Sequence, residues 1–131
     1  MPSDPGPAGT LGLMLLSGTH ERAHYAFVLA SAAGALGRRV VLFAANEGCH
    51  ALLEDWSALD QSGRDAALRA RGIAGIGELR DAARELGVRM LACESAARMY
   101  AIEAGAFTQG VEVSGVAAFL EATSGAQVIT L

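Results

Sequence analysis

The stretch Val88–Met99, VRMLACESAARM, decides how this chain is read. Val88-Arg89-Met90-Leu91-Ala92 is a short apolar run of β type, and Cys93-Glu94-Ser95-Ala96-Ala97 follows directly with the composition of a helix start. Cysteine therefore stands at the carboxyl end of a strand and just ahead of a helix. In an open parallel α/β sheet, ligands and reacting groups gather outside the carboxyl ends of the strands. A helix N-terminus at that point also stabilises a thiolate. The rest of the chain builds the sheet that carries this tip or governs what approaches it.

Upstream, Leu11–Leu16 (LGLMLL) is a continuous apolar run, as expected of a strand buried on both faces, and Arg39–Ala44 (RVVLFA) reads as the second buried strand, led by β-branched and aromatic residues. Ser17-Gly18-Thr19 between them makes a turn with a helix N-cap, and a helix is predicted from His20 to Leu36. Ala23, Ala26, Phe27, Ala30, Ala33 and Gly34 share one face of it, and Gly37 is its stop. Tyr25, Val28 and Leu29 lie on the other side, so this helix is either central or packed against another subunit. The second strand ends at the turn Ala45–Gly48, and Cys49 opens a short helix. Residues 54–74 read as polar and irregular, anchored by Trp56, and such long aperiodic segments are usually functional or partner-facing. Helical spacing returns at Gly75–Leu86, with Gly87 as the stop.

Downstream of Cys93, a helix is expected over Glu94–Ala104 and a loop over Gly105–Gly110. A short strand Val111–Val113 follows, then Ser114 capping a helix to Ala122, and a last strand Ala126–Leu131. Helical crossovers throughout imply a three-layer α/β/α domain around a mostly parallel five-stranded sheet. Residues 1–10 read as a disordered leader and residues 11–131 as one domain, long enough to bury a core without disulfides or metals.

Composition narrows the function. The chain is 52% hydrophobic and only 18% charged, which suggests a surface shared with other subunits. A formal net charge of -4 argues against nucleic-acid binding, and no apolar run reaches transmembrane length. Two cysteines without an export signal point to reduced thiols in the cytoplasm.

If the sheet is parallel, His20 after the first strand, Cys49 and His50 after the second and Cys93 after the third share one edge, with Glu94 and Ser95 beside Cys93. Cys93 is either a nucleophilic thiolate or a buried cysteine packing as a small hydrophobe. Cys49 is either a resolving thiol or, preferably, the same kind of packing residue. His20 and His24 are spaced i, i+4 and could share a helical face as metal ligands with Cys49, His50 or Cys93. No CxxC or HExxH spacing occurs, so no metal is expected; His20 reads as a polar group at the site rim and His24 as a surface residue. GxGxxG and Walker loops are absent and no cofactor is implied.

The run Glu85–Ser95 (ELGVRMLACES), together with Gly110–Leu120 (GVEVSGVAAFL), resembles the signature of the DsrE/DsrF-like sulfur-relay family. In order and spacing the resemblance spans Leu11 to Leu131; Ser95-Ala96-Ala97 stands where close variants carry methionines. The resemblance implies a doubly wound sheet, a homotrimer or homohexamer, and a cysteine at position 93 that accepts sulfane sulfur as a persulfide. Such a sulfurtransferase-like carrier exchanges sulfur with donor and acceptor proteins. The other readings are a non-catalytic oligomeric assembly subunit, a small-ligand or metal-binding module at the same edge, and a Cys49–Cys93 redox pair.

Overall fold

The computed structural model describes residues 9–131, so most of the expected leader lies outside the described residues. In chain order the elements are β1 (Leu11–Leu15), α1 (His20–Ala35), β2 (Val40–Ala44), a 3₁₀-helix (Asn46–Leu52), α2 (Arg64–Ala70) and α3 (Ile76–Glu85). They continue with β3 (Arg89–Cys93), α4 (Glu94–Met99), a 3₁₀ turn (Ala104–Ala106), β4 (Glu112–Ser114), α5 (Val116–Ala122) and β5 (Gln127–Thr130). The five strands form one sheet in the order β4-β3-β2-β1-β5, and every pairing is parallel.

Strand alternation divides the core in two. Leu11, Leu13, Leu15, Val40, Leu42, Ala44, Met90 and Ala92 turn to one face and pack under α1 and α3 with Ala23, Ala26, Phe27, Ala30, Ile76 and Ala83. Val41, Phe43, Ala45 and Leu91 turn to the other face and meet Phe119 of α5. Handedness explains the unequal layers. The crossovers from β1 to β2 and from β2 to β3 advance in one direction and place α1 and α3 on one side. The connection from β4 back to β5 runs the opposite way, so α5 lands on the other side. Phe119, 5.5 Å from Phe43 between ring centres, is the buried anchor of this short helix. Gly12 lets it come close: a Cβ there would collide with Thr123, Phe119 and Val128.

The helix ends follow the expected chemistry. Thr19 caps α1, its hydroxyl accepting the Arg22 N–H at 3.3 Å. Gly37 and Gly87 take φ of 84° and 85°, and each sits in a double-bonded turn that closes α1 or α3. Three expectations need correction. α4 stops at Met99 rather than Ala104, because the Ala101 and Ile102 amides turn back to the Arg98 and Ala97 carbonyls with Ala101 left-handed at φ 52°. Ser114 is not a cap; it ends β4, and Gly115 holds the N-cap position of α5. The segment read as irregular contains α2.

What fixes α2 is a buried polar network that also overturns the placement of two histidines. His20 is fully buried and His24 nearly so, not at a rim and on a surface. A guanidinium only donates, so Arg64 Nη1 at 3.3 Å makes His20 Nδ1 the acceptor and leaves Nε2–H to donate to Asp65 Oδ1 at 2.8 Å. The same carboxylate oxygen accepts the Ile76 N–H at 2.9 Å, which joins α1, α2 and the start of α3 through one atom. His24 stacks on His20 at 5.6 Å and donates to the Ala74 carbonyl, and Trp56 closes the far side of His20 at 5.9 Å.

Burial pushes the Asp65 carboxyl up, but the hydrogen bonds from His20 and Ile76 and the nearness of the two imidazoles outweigh it, leaving it below the usual carboxylate range. A depressed carboxyl stabilises the fold above its unfolded pKa and loses that contribution as pH falls through the folded value. Asp65→Ala is therefore expected to cost about 3 kcal/mol at neutral pH, since it strands two buried donors. Urea melts of wild type and variant should show the gap narrowing below about pH 4; a gap constant down to pH 3 would mean that the carboxylate charge contributes nothing.

Candidate functional site

Cys93 is the last residue of β3 and the N-cap residue of α4, with φ -65° and ψ 123°, and its side chain is partly exposed. The chain folds this way because Met90-Leu91-Ala92 buries completely while the polar Glu94 and Ser95 begin a helix on the surface. Alternation puts Cys93 on the face of Leu91, packed against the Val41, Phe43, Ala45, Leu91 and Phe119 cluster, and at the strand end it reaches the opposite cluster as well. Its register partner on β4 is Ser114, whose hydroxyl oxygen is buried without a hydrogen-bond partner. Four residues back along β3, Arg89 grips Glu112 of β4 with two bonds of 3.0 and 3.2 Å, so that cation is already paired.

Cys49 lies on the neighbouring 3₁₀-helix and is a thiol of another kind. It is fully buried and donates to the Ala44 carbonyl at 3.2 Å, with the Cys93 carbonyl at 3.9 Å. Burial is the main reason that its pKa is pushed up to about 11; a backbone hydrogen bond of Cys93 lowers it and the Cys93 charge raises it. Such a thiol stays protonated at neutral pH and pins backbone. The 3₁₀-helix lies this close to β1 because Gly48 has no Cβ; one added there would strike the Leu15 carbonyl oxygen. From below, the nearly buried Arg80 of α3 donates to the carbonyls of Ala51 at 2.9 Å, Leu53 at 2.6 Å and Glu54 at 3.4 Å.

The remaining candidates separate. His50 is half-buried, donates from Nδ1 to the Glu47 carbonyl at 2.9 Å, and packs 5.1 Å from the Tyr100 ring at the end of α4. The imidazole beside the Cys93 helix is thus His50. His20 has both ring nitrogens engaged by Asp65 and Arg64. Glu94 and Ser95 are exposed on the first turn of α4. Among the described residues no three His, Cys, Asp or Glu side chains converge as a metal site. Grooves of about 350 and 280 Å³ lie along α2 and α3, at Arg69–Glu78 and beside Trp56 and Asp65, and Cys93 lines neither.

Asp65, Arg80 and Ser114 escaped the sequence reading. Arg80 left a signal: its spacing from Ile76 and Ala83 puts a charge on the apolar face of α3. Such a charge is retained only where it finds partners, here the carbonyls that end the 3₁₀-helix.

Comparison with known proteins agrees with the fold. The model of the DsrE/DsrF-like family matches residues 12–131. The sulfur carrier protein DsrE2 of Allochromatium vinosum is 37% identical over 54 residues, which is 41% of this chain and 34% of that protein. The match thus spans about a third of the relative's length. In three dimensions the chain resembles the ychN protein of E. coli with a TM-score of 0.74 at 16% identity, covering 94% of this chain and 99% of that one. A protein of unknown function from Methanobacterium thermoautotrophicum gives a TM-score of 0.58 at 20% identity, with coverage of 94% and 99%. These two likenesses establish the fold. With the family match running through all five strands and both motifs that flank Cys93, the chain belongs to the DsrE/DsrF-like family.

Proposed function

We propose that this protein is a sulfur-relay carrier that holds a persulfide on Cys93. The observation that carries the reading is the partly exposed Cys93 thiol at a strand tip and helix start, within a chain of this family and related to a named sulfur carrier. In the loading step the Cys93 thiolate attacks the outer sulfur of a donor persulfide. A Cys93 S–S bond forms, the donor S–S bond breaks, the donor leaves as a thiolate, and the outer sulfur, more acidic than a thiol, releases its proton to solvent. An acceptor thiolate then attacks the same outer sulfur and releases the Cys93 thiolate. Each half is exchange between sulfurs, redox-neutral over the cycle, and needs no cofactor.

Cys93 opens on the surface rather than into either groove along α2 and α3, which suits handover between proteins: another protein's thiol reaches a surface sulfur directly. His50 is the imidazole in place to move a proton on this side of the sheet. Both cysteines are unpaired, which fits a reducing compartment such as the cytoplasm, and no helix among the described residues is long and apolar enough to cross a membrane.

The α5 face supports a homo-oligomer, a trimer or hexamer, and favours the assembly reading as well. Val116 and Leu120 on α5 are 47% and 60% exposed, and Val128 on β5, turned to the same face, is 46% exposed. One short helix does not cover a sheet face of this width, and an open apolar patch marks an interaction surface.

Three outcomes test these statements. Intact mass after treatment with a persulfide donor should show one added sulfur on wild type and none on Cys93→Ala; an equal gain in the variant would remove Cys93 from the relay. Iodoacetamide at pH 8 should label Cys93 in the native protein and Cys49 only after denaturation, whereas a Cys93 that waits for denaturant favours the assembly subunit. Leu120→Glu should shift sedimentation from oligomer to smaller species; an unchanged wild-type profile would locate the interface elsewhere.

A further inference from the structure

We infer that the Ser114 hydroxyl is the positioning donor for the sulfur carried on Cys93. The inference rests on the carrier reading above and names the group that steadies the charged sulfur.

Register comes first. Cys93 and Ser114 are Cα partners across the parallel β3–β4 pair, at the last step of the ladder. Paired residues of parallel strands about 4.8 Å apart send their side chains to the same face, so thiol and hydroxyl project side by side. The second observation is that the Ser114 Oγ is buried and bonds to nothing among the described residues. Buried hydroxyls almost always find a partner, and one without a partner calls for a reason. Helix capping is not that reason, since Gly115 holds the N-cap position of α5 and receives no side-chain bond.

A neutral thiol is a weak acceptor, but a thiolate is a strong one, and a hydrogen bond to an ionised acceptor is roughly twice as strong as one between neutral groups. The hydroxyl rotates freely about its C–O bond. Together with rotation about Cα–Cβ, which moves the oxygen, this lets it serve either the Cys93 Sγ or the outer sulfur of the persulfide, which stands one S–S bond, about 2 Å, further out. Serine keeps its proton throughout and forms no covalent bond. In the unloaded thiol state the oxygen stands unpaired among the described residues, and an ionised or loaded sulfur on the same face supplies the acceptor that a side-chain rotation brings within reach.

The ionisable groups on the elements packed about Cys93 are Cys49, Glu47 and His50 on the 3₁₀-helix, Glu94 and Arg98 on α4, Glu121 on α5 and the paired Arg89–Glu112. All stay in place in Ser114 variants, so a change in the Cys93 titration reports the hydroxyl. The test is the pH profile of Cys93 alkylation by iodoacetamide, read by mass mapping of the Cys93 peptide in the full chain. Ser114→Ala should move the midpoint upward by about one unit, an approximately tenfold fall in rate on the acid limb, with the two profiles converging at high pH. Ser114→Thr, which keeps the hydroxyl, should restore the wild-type midpoint. Ser114→Gly repeats the test should the alanine methyl disturb β4. An unmoved midpoint in the hydroxyl-free variants, or a threonine variant shifted as far as alanine, would overturn the assignment. The two readings fail separately: a wild type that gains no sulfur overturns the carrier, while a chain that loads normally with an unmoved midpoint overturns only Ser114.

Discussion

Five parallel strands demand a crossover between each pair in sequence, and the right-handed preference of those crossovers determines much of what is special in this molecule. Because every strand points the same way, the chain segments that follow β1, β2, β3 and β4 all emerge at one edge. That alone brings the Gly48–Cys49 turn against the end of β1 and the Cys93 tip against Cys49. Because a single crossover runs backwards, one face receives α1 and α3 while the other receives only the seven residues of α5. Alternation along β3 then turns Cys93 and Ser114 toward the thin layer. Accessibility of the sulfur and exposure of Val116, Leu120 and Val128 have the same origin.

The sheet was legible in the sequence to the extent that burial is expressed as composition. LGLMLL, VVLFA and MLA are apolar without interruption because β1, β2 and β3 are covered on both sides there, and the glycines after α1 and α3 are required by the left-handed turns that close them. Strand order was not legible: the hydrogen bonds that set it come from backbone, which every residue type offers alike. Nor were the partners of buried polar groups. His20 and His24 announced a helical pair, but Asp65 lies forty-five residues from His20 in a stretch whose composition suggests solvent. A histidine at the rim and one in a polar core look the same until the third group is located. α2 was missed for the same reason, as its helix is held by a network rather than by an apolar stripe of its own.

The two cysteines show how little the residue type decides. Both follow strands at the same edge, yet Cys49 is closed in by β1, β2 and the 3₁₀-helix and donates to carbonyls, while Cys93 ends its strand at the surface. Burial raises the Cys49 pKa and removes it as a nucleophile, so the thiol that supports the Cys93 backbone is not a competitor for the sulfur. Arg80, whose guanidinium anchors the carbonyls at the end of the 3₁₀-helix, extends the same support to α3. A resolving partner for Cys93 would need an ionised thiol, and Cys49 is placed so that it does not ionise at neutral pH.

In the proposed relay the carrier must also release what it accepts, which constrains how strongly its sulfur can be stabilised. Thiol exchange is fastest when the attacking thiol titrates near the ambient pH, because a more stabilised thiolate is a poorer nucleophile. A cation fixed against Cys93 would stabilise its thiolate at the expense of attack on the donor persulfide. The nearby arginine on β3 is instead taken up by Glu112 through two hydrogen bonds, and Glu94 adds a negative charge at the first turn of α4. What remains to steady the sulfur is the helix start and neutral polar groups, of which the Ser114 hydroxyl is the buried one in register. A neutral donor favours the anion by less than a full charge does, and it serves the thiolate and the persulfide alike. Loading and unloading then stay close in free energy, so the direction of transfer follows the donor and acceptor rather than the carrier.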